Sequence, residues 1–288
     1  MSMPSLLVQV SVTENDFSTY KASLLISLQN ILKLVQFKVK ILMVYQSKNS
    51  EEAIDEFFLS PEVILHRTTL FGVSAARNTG LKYARSEGYD YIIFHDASLS
   101  YSEKFVDLIN LTISQNMEIT KGKMQWVAEA DTNRPATLHL SKKKTNPIFD
   151  PYIGTYVFRV SALTNMAFNE KMGPGESTLM IAGEDLLFLY QLFEGRIPFI
   201  VDYSEQAIVE HPTRPSDNSK QLAYAESQGV LLRWLLMENR FNLTICIYFF
   251  AFFGNSIFGV LAGRTAATKV FSDRVKGFLD FAGIRKIL

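Results

Sequence analysis

The chain has 288 residues, of which 48% are hydrophobic, and its 29 Lys and Arg residues balance 29 Asp and Glu residues. This length allows one large domain with an appendage, and the apolar content suffices for a substantial core. The zero net charge argues against a nucleic-acid-binding protein, which needs a basic excess to neutralise phosphates. The single cysteine, Cys246, excludes an internal disulfide framework and fits a reducing compartment. Because no basic and apolar leader begins the sequence, we expect a cytoplasmic protein.

The N-terminal third alternates short apolar segments with segments of helical periodicity. Strands are predicted at residues 6–12, 39–45, 63–66 and 91–94, and helices at residues 17–34, 50–59 and 73–87. This alternation predicts an α/β fold with a doubly wound, mainly parallel sheet. Ligands of such sheets bind outside the carboxyl ends of the strands. The polar residues predicted at those ends are Thr13, Glu14, Gln46, Ser47 and Asp96.

The middle of the chain, residues 121–159, is polar and rich in predicted strand. Its basic run, Lys142-Lys143-Lys144, is interpreted as a solvated loop rather than an anion site, because charge runs usually lie at the surface. Gly173-Pro174-Gly175 indicates a further loop, and residues 184–193 predict a helix that begins with Glu184-Asp185.

The C-terminal part differs in character, and we divide the chain into an N-terminal domain that contains the predicted sheet, 1–215, and a helical region, 216–288. Residues 222–237 predict a helix, and residues 241–263 contain no charged residue. A basic tail follows, comprising Arg264, Lys269, Arg274, Lys276, Arg285 and Lys286. We expect a helical hairpin, broken at Gly254-Asn255-Ser256, that lies in the cytoplasmic leaflet of a membrane. A single transmembrane span is the alternative.

Two acidic residues are candidates for chemistry by position alone. Asp96 follows the fourth predicted strand, at the edge of the sheet where a carboxylate can hold a divalent metal. Asp185 lies at a helix start that faces the same cleft, where a carboxylate can act as a general base. The alternatives are structural: Asp96 could cap the next helix, and Asp185 could complement the helix dipole.

Several segments carry a resemblance to a known family. They are GVSAARNTGL at 72–81, YIIFHDAS at 91–98, GPG at 173–175, GEDLL at 183–187, and His211-Pro212. In this order and spacing they resemble family 2 glycosyltransferases of the GT-A fold. The segment YAESQGVLLR at 224–233 also resembles a stretch of bacterial capsule and surface-polysaccharide transferases.

The resemblance implies an inverting glycosyltransferase that moves a sugar from a nucleotide-sugar donor, by default a UDP-sugar. The acceptor would be a glycan or lipid-linked acceptor in bacterial surface-polysaccharide synthesis, with the enzyme peripheral on the inner face of the cell membrane. Asp185 would be the catalytic base and Glu184 would orient the acceptor or the base. The implied donor-binding residues are Thr13, Glu14, Arg77, Asn78, Asp96 and Ser98. Asp96 and His211 would hold a divalent metal, Mn²⁺ or Mg²⁺.

The sequence also departs from the family pattern. Ser98 replaces the second acid of the Asp-x-Asp motif, which weakens metal binding or shifts it towards His211. Tyr45-Gln46-Ser47 stands where an acidic pair usually reads the nucleotide base. These departures leave open an inactive binding or scaffold subunit. A nucleotidyltransferase is the other alternative, although no glycine-rich phosphate loop follows Val12.

Some residues can also be interpreted as purely structural. His211 could be a structural loop histidine, and Arg77 a surface helix residue. The other histidines, His66, His95 and His139, receive no role, and Trp126 and Trp234 are expected in the core or at an interface.

Overall fold

The computed structural model describes residues 3–48, 56–127, 137–176, 178–212, 219–239, 243–264 and 266–280. Most of the helix predicted at 50–59, the predicted domain boundary at 215/216, and the tail residues Arg285 and Lys286 lie outside the described residues.

Nine strands form one mixed sheet in the described part of the chain. They are β1 Ser5–Thr13, β2 Lys38–Gln46, β3 Val63–Thr68, β4 Tyr91–Asp96, β5 Ser100–Tyr101, β6 Ile119–Val127, β7 Ser141–Thr145, β8 Tyr156–Arg159 and β9 Phe199–Pro212. The order is β3-β2-β1-β4-β8-β6-β9-β5, and β7 pairs with β9. Strands β1 to β4 are parallel neighbours, as predicted, whereas β8 pairs antiparallel with both β4 and β6. The N-terminal half therefore has the predicted doubly wound order, and the second half turns the sheet into a mixed one.

Helices cover both faces of the sheet and form the C-terminal end. They are α1 Glu14–Leu34, α2 Val73–Ser86, α3 Glu103–Ser114, α4 Glu184–Leu192, α5 Ser219–Glu238, α6 Leu243–Leu261 and α7 Ala267–Leu279. Helix α3 was not predicted. Within the predicted helix at 50–59, the described residues form only a 3-10 turn, Glu56–Leu59.

The basic run Lys142-Lys143-Lys144 lies on strand β7, so its prediction as a loop was wrong. Strand β7 pairs antiparallel with β9 at the margin of the sheet. Lys142 is exposed and forms an ion pair with Asp202 at 2.8 Å, and the Lys143 ammonium lies 3.7 Å from the ring centroid of Tyr203. Lysine ammonium groups remain solvated at a sheet margin while their stems cover it, which explains why this polar run forms a strand.

The pleat of β1 divides the core into two layers. Leu6, Val8 and Val10 pack on the side of α1 and α3. Leu7 points to the opposite side and packs with α2 and α4. Because successive side chains of a strand face opposite sides, a strand buried on both faces reads as a continuous apolar run. The layers hold the strand ends of β1, β2 and β4 at one edge.

The C-terminal helices pack on α4 and on one another in a third apolar cluster. Helices α5 and α7 approach so closely that a Cβ atom at Gly229 would lie 2.1 Å from the carbonyl oxygen of Arg274. A Cβ atom at Gly277 would lie 2.0 Å from the carbonyl oxygen of Glu226. These two glycines therefore set the distance between the helices.

The apolar segment 241–263 forms one helix, α6, over its described residues, and the predicted break at Gly254-Asn255-Ser256 was wrong. The turn instead follows at Gly263, whose φ is +64°. A helix tolerates an interior glycine at a cost of about 1 kcal/mol, which tertiary packing offsets. Among the described helices none combines the length and apolarity needed to cross a membrane.

Candidate active site

A buried arginine of α2 lies at the centre of a carboxylate cluster. Arg77 is 2% exposed, and its Nη2 donates to both carboxylate oxygens of Asp96 at 3.0 and 3.1 Å. Its Nη1 donates to Oδ1 of Asp185 at 2.5 Å and lies 3.7 Å from Oε1 of Glu184. Burial lowers the pKa of Arg77, but the charges of the three acids together raise it above its ordinary value. Arg77 is therefore a permanent cation that holds three carboxylates together.

The two adjacent acids of α4 differ in protonation. Burial, reinforced by the charge of Asp185, raises the pKa of Glu184 to about 8, against the opposing effect of Arg77. Burial also raises the pKa of Asp185. However, Asp185 makes the closer contact with Arg77, and its Oδ2 accepts from the backbone N–H of Ile153 at 3.3 Å. Both contacts favour the charged form, so we assign the proton of the pair to Glu184 and the negative charge to Asp185.

A cleft of about 500 Å³ opens at the carboxyl ends of β1, β2 and β4, at the edge predicted from the strand order. The start of α2 and the Gly-Pro-Gly loop form its other wall. Its polar lining includes Thr13, Asp16, Gln46, Arg77, Asp96, Ser98, Glu184, Asp185, His211 and Tyr224.

A second cavity, of about 450 Å³, lies between α4 and the C-terminal helices. It shares Pro174, Glu184, Asp185 and Tyr224 with the cleft. The carboxylate pair of α4 therefore borders both spaces, and a molecule in either one can approach Asp185.

The last strand of the sheet brings a histidine to the cleft. Nδ1 of His211 lies 2.8 Å from the carbonyl oxygen of Pro212, which can only accept, so Nδ1 carries the proton. Nε2 lies 3.1 Å from Oγ of Ser98 and accepts its hydrogen. The centroid of the Trp126 ring lies 4.6 Å from the centroid of the His211 imidazole. The Trp126 ring also packs edge-on against Tyr152. His211 therefore presents an unprotonated nitrogen beside Ser98.

The residues of the segment 72–81 connect the two halves of the site. The N–H of Gly72 donates to Oε1 of Gln46 at 2.6 Å, and Oγ of Ser74 donates to the carbonyl oxygen of Met172 at 2.7 Å. At Gly80, a Cβ atom would lie 2.1 Å from Cγ of Gln9, so only glycine lets α2 sit on β1. These contacts place Arg77 between the strand ends and α4.

Comparison with protein families identifies the family of the chain. A sequence profile described as "Glycosyl transferase family 2" matches residues 19–170, just over half of the chain. The chain belongs to glycosyl transferase family 2. The protein is thus an enzyme, a glycosyltransferase, and the matched region contains Arg77, Asp96 and Ser98. A comparison with curated protein sequences gives no match.

Solved structures resemble the glycosyltransferase in fold. S. aureus TarS 1-349 in complex with UDP-GlcNAc superposes with a TM-score of 0.56 at 15% identity, covering 96% of this chain and 82% of that one. The same fragment in complex with UDP gives a TM-score of 0.52 at 16% identity, covering 79% of this chain and 65% of that one. A longer TarS structure gives 0.50 at 16% identity, with 80% of this chain and 40% of that chain covered. The match thus spans less than two thirds of two of these relatives, and at such identities the likeness shows the GT-A-like fold.

Most of the predicted site residues meet in the glycosyltransferase's cleft. Those that line it are Thr13, Arg77, Asp96, Ser98, Glu184, Asp185 and His211. The expectation that Arg77 could be a surface residue was wrong, because the residue is buried among carboxylates.

Two residues predicted to bind the donor lie elsewhere. The Glu14 carboxylate accepts from Oγ of Ser47 at 2.9 Å and is not among the residues that line the cleft. Asn78 binds the loop after β8: its Nδ2 donates to the carbonyl oxygen of Phe168 at 2.9 Å, and its Oδ1 accepts from the N–H of the same residue at 2.7 Å. Helical spacing explains this placement of Asn78, since residues adjacent on a helix point in different directions.

Sequence reasoning missed several lining residues. Asp16 accepts from the Thr13 hydroxyl at 2.7 Å and presents a carboxylate to the cleft, where Glu14 was expected. Trp126 was expected in the core or at an interface, yet it is 37% exposed beside His211. Tyr224 lines both cavities. The polar cluster after β1 was a signal for Asp16, whereas only packing reveals the aromatic residues. Trp234, in contrast, is buried in the core as expected.

The imidazole of His95 is buried beside the backbone of Asp96. It is fully buried, and burial lowers its pKa to about 4. Its Nδ1 donates to the carbonyl oxygen of Asp96 at 2.9 Å, and its Nε2 lies 2.9 Å from Oγ of Ser27. This neutral ring fixes the backbone at Asp96.

Two side chains of the cleft offer donor atoms that a divalent cation could use. Asp96 is 38% exposed and offers carboxylate oxygens beyond the guanidinium, and His211 offers Nε2. The described residues contain no group of three or more His, Cys, Asp or Glu side chains arranged to hold a metal. Mg²⁺ commonly binds one or two protein carboxylates and completes its coordination with substrate phosphates and water. Asp96 and His211 would therefore hold such a metal only together with a diphosphate.

Proposed function

We propose that this glycosyltransferase moves a sugar from a UDP-sugar to a hydroxyl group of a glycan or lipid-linked acceptor, with inversion at the anomeric carbon. The observation that carries the proposal is the meeting of two cavities at Glu184 and Asp185. The cleft at the strand ends suits the nucleotide sugar, and the second cavity suits the acceptor. The S. aureus TarS structures in complex with UDP and UDP-GlcNAc support a uridine donor.

Asp185 is the proposed base, since it is the ionised member of the pair and borders both cavities. Its carboxylate takes the proton from the acceptor hydroxyl while the oxygen attacks the anomeric carbon. The bond to the diphosphate breaks on the opposite side of that carbon, and the diphosphate leaves with the electron pair. Attack opposite the leaving group inverts the configuration.

Glu184 and Arg77 position this base. Protonated Glu184 is a hydrogen-bond donor at neutral pH, so it can orient the acceptor without competing for its proton. Arg77 keeps Asp185 charged and holds Asp96 beside it. Two carboxylates with different environments thus take different roles.

Asp96 and His211 are the proposed ligands of a divalent metal, Mn²⁺ or Mg²⁺. The bound metal would neutralise the charge that develops on the leaving diphosphate. Ser98 would orient the imidazole through its contact with Nε2 before the donor arrives. Thr13 and Ser98 line the cleft and are proposed donor contacts.

Donor choice can be tested by thermal stability of the purified protein against UDP, GDP, CMP and dTDP, each with Mn²⁺ or EDTA. A ligand that binds only the native state raises the melting temperature. We expect the largest rise with UDP plus Mn²⁺. A rise that EDTA leaves unchanged would contradict the metal proposal, and no rise with UDP would contradict the uridine donor.

The role of Asp185 can be tested with Asp185→Asn, measured as UDP release from a UDP-sugar. Loss of a general base costs about 10²–10⁴-fold in rate, and the affinity for UDP should remain close to wild type. Asp202→Asn is the matched control, since Asp202 pairs with Lys142 outside the cleft. Turnover by Asp185→Asn at the control rate would exclude this base.

We also propose that the enzyme is cytoplasmic and binds the inner face of a bacterial cell membrane, where surface-polysaccharide acceptors are presented. The support is an exposed apolar stripe along α6, comprising Leu243, Ile247, Phe250, Phe258 and Leu261. The proposed division into a catalytic domain, 1–215, and a helical region, 216–288, gives this stripe to the helical region. An apolar helix face can lie in the headgroup region without crossing the bilayer.

Sedimentation with vesicles that contain phosphatidylglycerol tests the membrane proposal. The double variant Phe250→Ser, Phe258→Ser should remain in the supernatant while wild type sediments. Leu59→Ser is the control, because Leu59 is equally exposed but lies far along the chain from α6. Equal sedimentation of all three proteins would contradict a role for the stripe.

A further inference from the structure

The cavity beside the carboxylate pair contains a second buried arginine. Arg274, on α7, lines the 450 Å³ cavity together with Gln228 of α5 and Phe252 of α6. Its side chain is 6% exposed. Asp185 borders the same cavity, so one space contains the proposed base and this guanidinium.

Neutral groups hold Arg274 in position. Its Nε and Nη2 donate to Oε1 of Gln228 at 3.1 and 2.9 Å, and its Nη1 donates to Oγ of Ser256. The guanidinium lies 4.0 Å from the ring centroid of Phe252. A guanidinium has five N–H donors, and these contacts use three of them.

No carboxylate of the described residues forms an ion pair with Arg274, which distinguishes it from the other buried cations. Arg77 and Lys121 each contact acids within 4 Å. Burial lowers the pKa of Arg274 to about 10, with no acid opposing the shift. Burying a charge is costly unless it is paired. A side chain that bears this cost while it lines a cavity is placed to bind an anion that arrives from solution.

The close contact of α5 and α7 also fixes the position of this group. The carbonyl oxygen of Arg274 lies 2.1 Å from the position of a Cβ atom at Gly229, so the backbone that carries the arginine packs directly against α5. Gln228, the acceptor of two of its hydrogen bonds, precedes this glycine. The guanidinium is therefore held in place before any ligand binds.

We propose that this cavity is the acceptor site and that Arg274 binds an anionic group of the acceptor, either a phosphate or a carboxylate. A planar guanidinium matches the paired oxygens of both groups. The acceptor's anionic group would lie at Arg274 and its reactive hydroxyl at Asp185. This inference rests on the proposed function, because it specifies the chemical class of the acceptor.

Calorimetric titration of the full chain tests the inference. The first titration, with UDP, examines the proposed donor site. With UDP at saturation, so that the donor site is filled, glycerol 3-phosphate and glucuronate are then titrated as probes, with glycerol and glucose as their neutral counterparts. We expect one charged probe to bind and its neutral counterpart not to bind. The probe that binds identifies the group as phosphate or carboxylate.

Substitutions assign the binding to one residue. Arg274→Gln should weaken the charged probe about 10- to 100-fold, the range of a charge-assisted hydrogen bond, and leave UDP affinity unchanged. Arg233→Gln is the matched control, since Arg233 lies on α5 of the same helical unit, contacts Phe278 and does not line the cavity. Arg274→Lys keeps the charge and should lie between wild type and Arg274→Gln, which decides the matter if the glutamine variant is poorly folded.

The outcomes separate this inference from the function on which it rests. UDP binding without binding of either anion, or equal anion binding by wild type and both Arg274 variants, would overturn the inference alone. Absence of UDP binding would instead count against the proposed donor.

Discussion

Arg77 and Arg274 are both buried, and they differ in what surrounds the guanidinium. Arg77 contacts three carboxylates within 4 Å, whereas Arg274 contacts an amide, a hydroxyl and an aromatic ring. The pKa of Arg77 is raised and that of Arg274 is lowered, because acids compensate burial only at the first site.

The difference shows two uses of a buried cation: one holds parts of the protein together, and the other is available to bind a ligand. At Arg77 the protein supplies the opposite charges itself, so the cation organises the acids that we propose for catalysis. At Arg274 the described residues supply only neutral hydrogen bonds, which leaves the charge for a ligand. Removing the first cation should therefore damage the fold, and removing the second should mainly affect binding.

The largest effect is expected from Arg77→Met. Breaking a buried ionic cluster by removing one partner costs about 3–5 kcal/mol, because three acids are left close together without a cation. Denaturant unfolding measures the loss. Arg85→Met is the control on the same helix: Arg85 is exposed and donates only to carbonyl oxygens of Leu163 and Met166. Equal stability of the two variants would show that the cluster is not held together by charge.

The next largest effect is a pH dependence of the stability that comes from the proton on Glu184. A glutamate side chain ordinarily has a pKa of 4.5, whereas the pKa of Glu184 in the folded protein is about 8. Between these values the folded protein keeps a proton that the unfolded chain has lost, so stability falls as pH rises through this window. Each unit of pKa difference corresponds to about 1.4 kcal/mol, and Glu184→Gln removes the dependence. Unfolding curves at pH 5, 6, 7 and 8 should diverge between wild type and variant, and parallel curves would contradict the assigned proton.

A smaller loss is expected where α5 and α7 meet. Gly277→Ala places a Cβ atom 2.0 Å from the carbonyl oxygen of Glu226, and such overpacking costs about 1–3 kcal/mol. Gly254→Ala is the matched control, since no atom lies within 4 Å of its added Cβ and alanine favours a helix. In thermal unfolding, Gly277→Ala should melt at a lower temperature than wild type, and Gly254→Ala at the same or a higher temperature. A Gly277→Ala protein as stable as wild type would mean that this glycine does not set the distance between α5 and α7.

The smallest effect is expected at a solvated charge. Lys142 is 70% exposed where it pairs with Asp202, and such surface pairs contribute about 0.2–1 kcal/mol. Lys142→Ala should therefore change the free energy of unfolding far less than Arg77→Met in the same assay. A comparable loss in the free energy of unfolding at both positions would contradict the expected difference between buried and exposed cations.

The N-terminal sheet could be predicted from the sequence because its signals are local. Strands β1 to β4 are short apolar runs, and Thr13 and Gly88 mark element boundaries that the backbone confirms. The cleft at their carboxyl ends follows from the parallel order alone. Helix α3, which Ser102 caps, was not predicted.

The remainder depended on contacts between distant residues. Nothing local distinguishes Lys142 in a strand from a lysine in a loop, and the pairing of β7 with β9 decides it. Asn78 follows Arg77 directly in sequence and points in another direction on α2, and the packing of α2 against the loop at Phe168 supplies its partner. The same holds for Trp126, whose place beside His211 follows from the pairing of β6 with β9.

The sequence by itself determined the parallel half of the sheet, the edge at which the cleft opens, and three of the acids that line it, Asp96, Glu184 and Asp185. Strand and helix periodicity and motif order are properties of neighbouring residues, which is why they could be predicted. The tertiary structure alone decided which charges are paired. Arg77 and Asp185 are separated by 108 positions, and their 2.5 Å contact exists only because α2 and α4 pack on the same face of the sheet. Arg274 lacks such a partner among the described residues, because the side chain that α5 presents to it is the neutral amide of Gln228.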